Sequence, residues 1–424
     1  MASQIRLRPA TLPATIPAVL LLLLTACGGP GGLPGHTFTR TTEDGVLRIV
    51  NSAVPRFEGE LFTYEEVLTL QEDEREGSLL NAPRRVLTDD SGRYFVMDDG
   101  NNRIAVFGLT GRFEYAMGRE GDGPGEWRGA VLQETHDGML SLLDSGLNRL
   151  QRFQTDGRLL DVTPLPVGRN RGVVRYLILD GSRLLLLKAE TSIMVGTPYA
   201  TQLDATVFGA GGDTLWHYRP EPVLIGVRFT TTIRGARVDN PTPFVLGFHP
   251  SIDFHRRHGI LVSEVTDPEL KVFNDAGRLV RTIRLDLPVE AVNEEEKRQT
   301  RQYWDELLAG LPEPQRPFAQ MQYDGLTFAE NKGQWDSAAW DDLGYMWLSI
   351  PETTKSREAA GGRGLYRIVS PEGEYLGLTR RPPGNAAFYR DRLLVAFNDR
   401  GEGVQYVRVY RVRSAMPGLE YGVR

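Results

Sequence analysis

Apolar and polar positions alternate along this chain in short runs rich in β-branched and aromatic residues, broken by Gly and Asp. Such a pattern predicts β-strands joined by tight turns. The first clear pair is Arg85–Asp90 and Arg93–Asp98, around Gly92. The arrangement returns at Ala130–Thr135 with Met139–Asp144 around Gly138, and at Val174–Asp180 with Arg183–Lys188 around Gly181. Three further copies are Ser251–Arg257 with Ile260–Val265, Ser337–Asp342 with Tyr345–Ile350, and Asn385–Arg390 with Arg392–Phe397. A third run reaches an aromatic in each copy, at Phe107, Phe153, Phe208, Phe273, Tyr366 and Tyr410. After most of these come a polar turn, such as Asp275-Ala276-Gly277-Arg278, and a fourth run.

Two stretches share a tighter template. Asp98-Asp99-Gly100-Asn101-Asn102-Arg103-Ile104-Ala105-Val106-Phe107 aligns with Asp144-Ser145-Gly146-Leu147-Asn148-Arg149-Leu150-Gln151-Arg152-Phe153. A self-similar unit of roughly 40–50 residues marks a β-propeller blade. Four strands repeated six times predict an all-β, six-bladed β-propeller of four-stranded antiparallel blades. An open solenoid or two β-sandwiches is the alternative. The last copy runs short of chain after Tyr410, and an open sheet edge invites aggregation. Val46–Asn51 or Tyr64–Leu70 is therefore expected to supply the missing outer strand, with the propeller spanning residues 46–424.

Between Phe273 and Tyr366 the spacing lengthens, which predicts an insertion over about residues 288–317. Pro288 to Gly310 reads as a helix, with Glu290 and Glu294–Glu296 suited to the positive end of its dipole. Tyr303, Trp304, Leu307 and Leu308 gather on one face, for packing on the propeller, a cap over the channel or a partner. Pro312, Pro314 and Pro317 are expected to return the chain to the ring, and Ala359–Gly364 to form a hairpin tip.

The N-terminus reads as an address. Arg6 and Arg8 precede an apolar core at Ala18–Thr25, shorter than the about 20 residues that span a bilayer. Leu24-Thr25-Ala26-Cys27 resembles the bacterial lipobox, which implies cleavage after Ala26 and lipidation of Cys27. Residues 1–26 are then the signal peptide and 27–45 a tether, beginning with the Gly/Pro-rich Gly28–Gly35. Cys27 is the sole cysteine, so no disulfide is expected. The expected location is the bacterial cell envelope, lipid-anchored and extracytoplasmic.

Composition changes the picture little. The 424 residues include 46 Gly and 26 Pro, as a turn-rich β-protein requires. A net charge of −6 without a basic run argues against nucleic-acid binding. Asp98, Asp99, Asn101 and Asn102 look like part of a calcium loop but lack the distal Glu, and read instead as side-chain turns. Gly118–Gly125 lacks the Gly-Lys-Ser/Thr of a phosphate loop and reads as an inter-blade linker. His249, His255 and His258 crowd together without an established zinc spacing. Neither a cofactor nor a metal is predicted. Arg85, Gln133, Arg175, Asp253, His255 and Asn385 are the polar residues on inner strands and the candidates for lining the channel. With more cations than carboxylates, this set suits an anionic ligand better than a metal.

The run from Asp98 through Phe107, with Gly111 and Gly118–Trp127, resembles an NHL-type repeat, most closely over Arg84–Asp161. The whole chain resembles bacterial lipoproteins of the six-bladed propeller superfamily. That resemblance implies the fold, and with the inner-strand set the chain reads as a binding or scaffolding module for a protein or a small anionic ligand. Its enzymatic relatives make a metal-assisted hydrolase or lyase, sited in the channel, the alternative.

Overall fold

The computed structural model describes residues 32–70, 78–136, 138–165, 173–179, 183–192, 199–209, 211–233, 236–264, 269–382, 384–399 and 404–422. Six sheets each contain a four-stranded antiparallel unit. Blade one comprises Pro83–Thr88, Tyr94–Asp98, Arg103–Phe107 and Phe113–Met117. Blade two runs from Ala130–His136 to Leu159–Pro164, and blade three from Val173–Ile178 to Thr214–Tyr218. Blade four runs from Ser251–His255 to Leu279–Asp286, and blade five from Ser337–Trp340 to Tyr375–Arg381. Blade six takes Asn385–Tyr389, Arg392–Asp399 and Val404–Ser414, then borrows Phe62–Leu70. The fold is the all-β propeller that the repeat predicts. The turn expected at Gly181 lies outside the described residues, as do Cys27 and Gly28–Gly31.

The blades hold together through six apolar clusters, one at each boundary. Leu394, Ala396, Val407 and Val409 of blade six meet Val86, Val96 and Phe107 of blade one. Phe95, Ile104 and Val106 of blade one meet Leu132, Leu140 and Leu142 of blade two. Equivalent clusters join blades two and three, three and four, four and five, and five and six. Strand side chains point alternately to the two faces of a sheet. Sheets set radially therefore present both faces to neighbours, and each fully buried Leu, Val or Phe contributes about 1.5–3 kcal/mol.

The shared template has a physical reason. Asp98 is buried, and its Oδ2 accepts from Arg103 Nε (2.8 Å) and Asn101 Nδ2 (2.8 Å), while Oδ1 accepts from Asn81 N (2.6 Å). Asp144 repeats this: Oδ2 accepts from Arg149 Nε (3.3 Å), Oδ1 from Arg128 N and Leu147 N. Gly146 N–H donates to Arg128 O, and a Cβ there would stand 2.1 Å from that oxygen, so Gly is required. The motif thus ties the loop after a second strand to the linker entering that blade. Asp99 bonds Arg84 Nε at 2.7 Å, so this region is a side-chain turn.

Tyr64–Leu70, within Phe62–Leu70, closes the ring: Phe62 faces Ser414, Glu66 faces Tyr410 and Leu70 faces Val407. Val46–Ser52 instead runs parallel to Leu279–Asp286, extending blade four. The expected tether is ordered here from Phe38, because Phe38–Glu43 pairs with Val46–Ser52. Asn51 anchors this hairpin to blade five, accepting from Tyr375 N (2.8 Å) and donating to Gly373 O (3.0 Å).

The insertion differs from the expected single helix. α1 is Glu294–Gly310 and begins at a capping box rather than at Pro288: Asn293 accepts from Glu296 N, and Glu296 from Asn293 N. A second helix, α2 (Arg316–Asp324), follows with Pro317 in its first turn, where its missing N–H costs nothing. A third, α3 (Thr354–Ala359), leads into the expected tip, whose residues 360–362 form turns. Blade three carries an unexpected hairpin, Val223–Ile233 with Ala236–Val245, whose end pairs with Thr327–Phe328. Antiparallel order puts the start of every inner strand and the end of every second strand on one face. The hairpin and α1–α2 precede inner strands and α3 follows a second strand, so all share that face. They pack on one another: Thr353 donates to Gln299 (2.7 Å), and Lys355 pairs with Glu306.

Candidate functional site

The inner-strand polar residues form links from blade to blade. Gln133 is buried, accepts from Tyr176 N (3.1 Å) and so joins blade two to blade three. It braces the ring rather than lining the channel. Arg175 donates to Asp253 Oδ1 (2.8 Å) and Phe254 O (2.6 Å), joining blades three and four. Asp253 Oδ2 accepts from Trp340 N (2.9 Å), joining blade five. The cause is the radial sheet, which turns inner-strand side chains sideways onto the next blade. Asn385 opens the inner strand of blade six opposite Ala396; its side chain is outside the described residues.

Arg85 differs from these. One weak bond, Nη2 to Gln133 O at 3.4 Å, reaches blade two, while its Nε is enclosed without a hydrogen-bond partner. Burial first, then the neighbouring Arg175 charge, pushes this guanidinium down to about 10, with Asp253 acting oppositely. Arg85 is thus still a cation at neutral pH. Among the described residues, the carboxylate near both arginines is Asp253, already engaged by Arg175 and Trp340.

His255 sits at the opposite end of its strand from the insertion face. Its Nδ1 accepts from Arg257 N (3.1 Å) and His258 N (3.2 Å), so Nε2 carries the hydrogen and donates to Asp342 O (3.2 Å). His258 lies against Trp340, ring centroids 5.2 Å apart. Burial lowers both histidines, His258 to about 4. His249 is separated from them, in the loop before blade four on the insertion face. Among the described residues, no three His, Cys, Asp or Glu side chains are grouped to hold a metal.

His249 instead lines a cleft of about 330 Å³ between the starts of blades four, five and six and α3. Blade five and the loop before it supply Asp336, Ser337, Ser349, Tyr366 and Arg381, with Ser349 and Tyr366 cross-strand partners, and α3 supplies Arg357. The Arg381 guanidinium lies 4.8 Å from the Tyr366 ring centroid, and its Nε is buried without a partner. Burial lowers the His249 ring from its usual range, and Asp336 pulls it back. Sequence reasoning missed this group because its members come from blade five, α3 and the loops entering blades four and five. The one signal available was that insertions in a repeat fold collect on the face that binds.

The Gly-rich segment is a linker. Arg119–Glu120 pairs with Glu126–Trp127, and Glu126 accepts from Gly123 N (2.8 Å). At Gly118, φ is +78° and a Cβ would stand 1.7 Å from the Trp127 ring.

A sequence family described as a 6-bladed beta-propeller matches residues 60–170. No curated protein matches the chain. Among solved structures, a Bacteroides fragilis protein named as exported is similar at 12% identity, with 87% of this chain and 100% of that one covered and a TM-score of 0.48. A member of the duf4221 family from Bacteroides vulgatus is similar at 10% identity, with 84% and 100% covered and a TM-score of 0.48. Virginiamycin B lyase from Staphylococcus aureus is similar at 10% identity, with 82% and 99% covered and a TM-score of 0.36. Among the described residues no helix is long and apolar enough to cross a membrane.

Proposed function

We propose that this chain is a lipid-anchored, extracytoplasmic binding module whose propeller takes an anionic ligand, or an acidic segment of a protein partner, at Arg85. The observation that carries this reading is the charge balance at the centre of the ring. Two guanidinium groups, Arg85 and Arg175, stand near the Asp253 carboxylate, and that carboxylate is bonded to Arg175 and to blade five. A half-buried cation with no ion-pair partner among the described residues is costly. An arriving anion supplies the guanidinium with the missing partner. Stability alone does not account for Arg85, since Gln or Met would fill the site without the charge.

The test is a thermal melt with and without inorganic phosphate. Phosphate is expected to raise the melting temperature of the parent chain and leave Arg85→Gln unmoved. Equal shifts in both would contradict the reading. The anchor rests on Leu24-Thr25-Ala26-Cys27. Cys27→Ala is expected to leave the membrane fraction and take up no labelled acyl chain; unchanged labelling would overturn that part.

A further inference from the structure

The cleft on the insertion face holds an unusual amount of unused hydrogen-bonding capacity. His249, Asp336, Ser349, Arg357, Tyr366 and Arg381 all line it. None makes a side-chain hydrogen bond or a close ion pair with another described residue. The contrast with the next residue along is sharp. Arg380 holds Glu352 through both guanidinium nitrogens, at 2.8 and 3.2 Å. Buried and half-buried polar groups are normally satisfied within a fold. Five half-buried groups that are not, with the exposed Arg357 beside them and glycines that leave backbone space, are shaped for something else.

We infer that this cleft is a binding site for a small hydroxylated carboxylate, such as a sugar acid. The two arginines supply a planar donor set for one carboxylate. Arg381 is pre-placed on the Tyr366 ring, and its buried Nε has no hydrogen-bond partner. Asp336 and His249 add acceptors to the same cleft, matched to hydroxyl donors, and the serine and tyrosine hydroxyls accept or donate. One carboxylate balances the net single positive charge of Arg357, Arg381 and Asp336. About 330 Å³ is at the lower end of small-molecule sites, roughly 300–1,000 Å³, so the ligand is one small solute. Arg357 arrives on α3, which is braced by α1 through Thr353 and Lys355. The insertions thus have a role: they carry one wall of the site. The cleft shares no residue with the Arg85 region, so this inference stands apart from the reading above.

The experiment is isothermal titration of the full chain with D-glucuronate, D-gluconate and L-tartrate, using D-glucose and sodium chloride as controls. At least one acid is expected to bind below millimolar, and D-glucose at least tenfold more weakly than D-glucuronate. Arg357→Gln, on the exposed face of a short helix, and Arg381→Gln are each expected to weaken binding at least tenfold. Arg128→Gln, an exposed arginine on the blade-two linker, controls for net charge and should leave affinity unchanged. Melting curves establish that each variant is folded, and Arg357→Gln carries the test if Arg381→Gln is not. No binding of any acid at 10 mM would overturn the inference. So would affinity unchanged in Arg357→Gln, or lowered equally by Arg128→Gln.

Discussion

Arg175 Nη1 lies 2.8 Å from Asp253 Oδ1, across the boundary between blades three and four. The other oxygen of Asp253 accepts the backbone N–H of Trp340, so one carboxylate ties three blades together. Removing it leaves the partly buried Arg175 guanidinium without its carboxylate, held only by Phe254 O, and the Trp340 N–H without that acceptor. Asp253→Ala is expected to lower the unfolding free energy by about 2–3 kcal/mol. A smaller loss is expected when Arg175→Met accompanies it, because the orphaned charge is gone. Urea unfolding of the two single variants and the double variant checks this. Strict additivity would show that the link is incidental.

The two adjacent aspartates of the first template have different duties. Asp98 is fully buried and bonded to Arg103, Asn101 and Asn81, whereas Asp99 is partly exposed and pairs with Arg84 alone. Asp98→Ala is expected to cost about 3 kcal/mol and Asp99→Ala under about 1 kcal/mol. Calcium chloride should leave the melting temperature of the parent chain unchanged. A calcium-dependent rise abolished by either substitution would restore the cation-loop reading of this segment.

Ring closure depends on Phe62–Leu70. Phe62 is buried against Trp347, ring centroids 5.5 Å apart, and against Tyr421 at 4.7 Å. Phe62→Ala is expected to destabilise the chain by about 3–4 kcal/mol. Deleting residues 62–70 exposes the Val404–Ser414 edge and should give aggregates in size-exclusion chromatography. A monodisperse, cooperatively unfolding deletion variant would show that the borrowed strand is dispensable.

One buried and one half-buried group pull stability in opposite directions with pH. Burial pushes the Asp341 carboxyl up to about 6, although Trp347, Tyr421 and two backbone N–H groups donate to it. Its folded value exceeds the unfolded one, so the native state binds the extra proton. Asp341 therefore makes stability fall as pH rises from about 4 to 6, by up to about 3 kcal/mol. Burial lowers His258 to about 4, below the usual imidazole value. The unfolded state then binds the extra proton, and His258 makes stability rise with pH from about 4 to 6.5. Unfolding measured across this window should show Asp341→Asn steepening the rise and His258→Phe flattening it. Slopes that change in the same direction would contradict both assignments.

The ring was legible because its register is local. Period-two runs, Asp-Gly turns and a recurring aromatic mark all six inner strands to within about two residues, as at Ser251–His255 and Ser337–Trp340. The closing strand was legible from the shortage of chain after Tyr410. Three features were not. The blade-three hairpin Val223–Ile233 and Ala236–Val245 looks like more of the same alternation, and its role depends on distant Thr327–Phe328. α2 was hidden by its prolines, which signal a break unless one falls in the first turn, as Pro317 does. The cleft joins His249, Asp336, Arg357 and Arg381 by tertiary geometry, which spacing along the chain does not encode. The inner-strand candidates were read in the right places with a different duty. Gln133, Arg175 and Asp253 link blades, because inner strands turn their side chains onto neighbours.

The central claim is that Arg85 is kept as a half-buried cation for an anion to meet. Isothermal titration of inorganic phosphate into the parent chain and Arg85→Gln, at low and at physiological ionic strength, tests it most directly. The account predicts one site in the parent chain and an affinity that falls as salt rises. It predicts a loss of at least tenfold in Arg85→Gln, whose unliganded melting temperature is equal or higher because the desolvated charge is gone. Identical heats in both proteins, or no heat in the parent chain at either ionic strength, would contradict it.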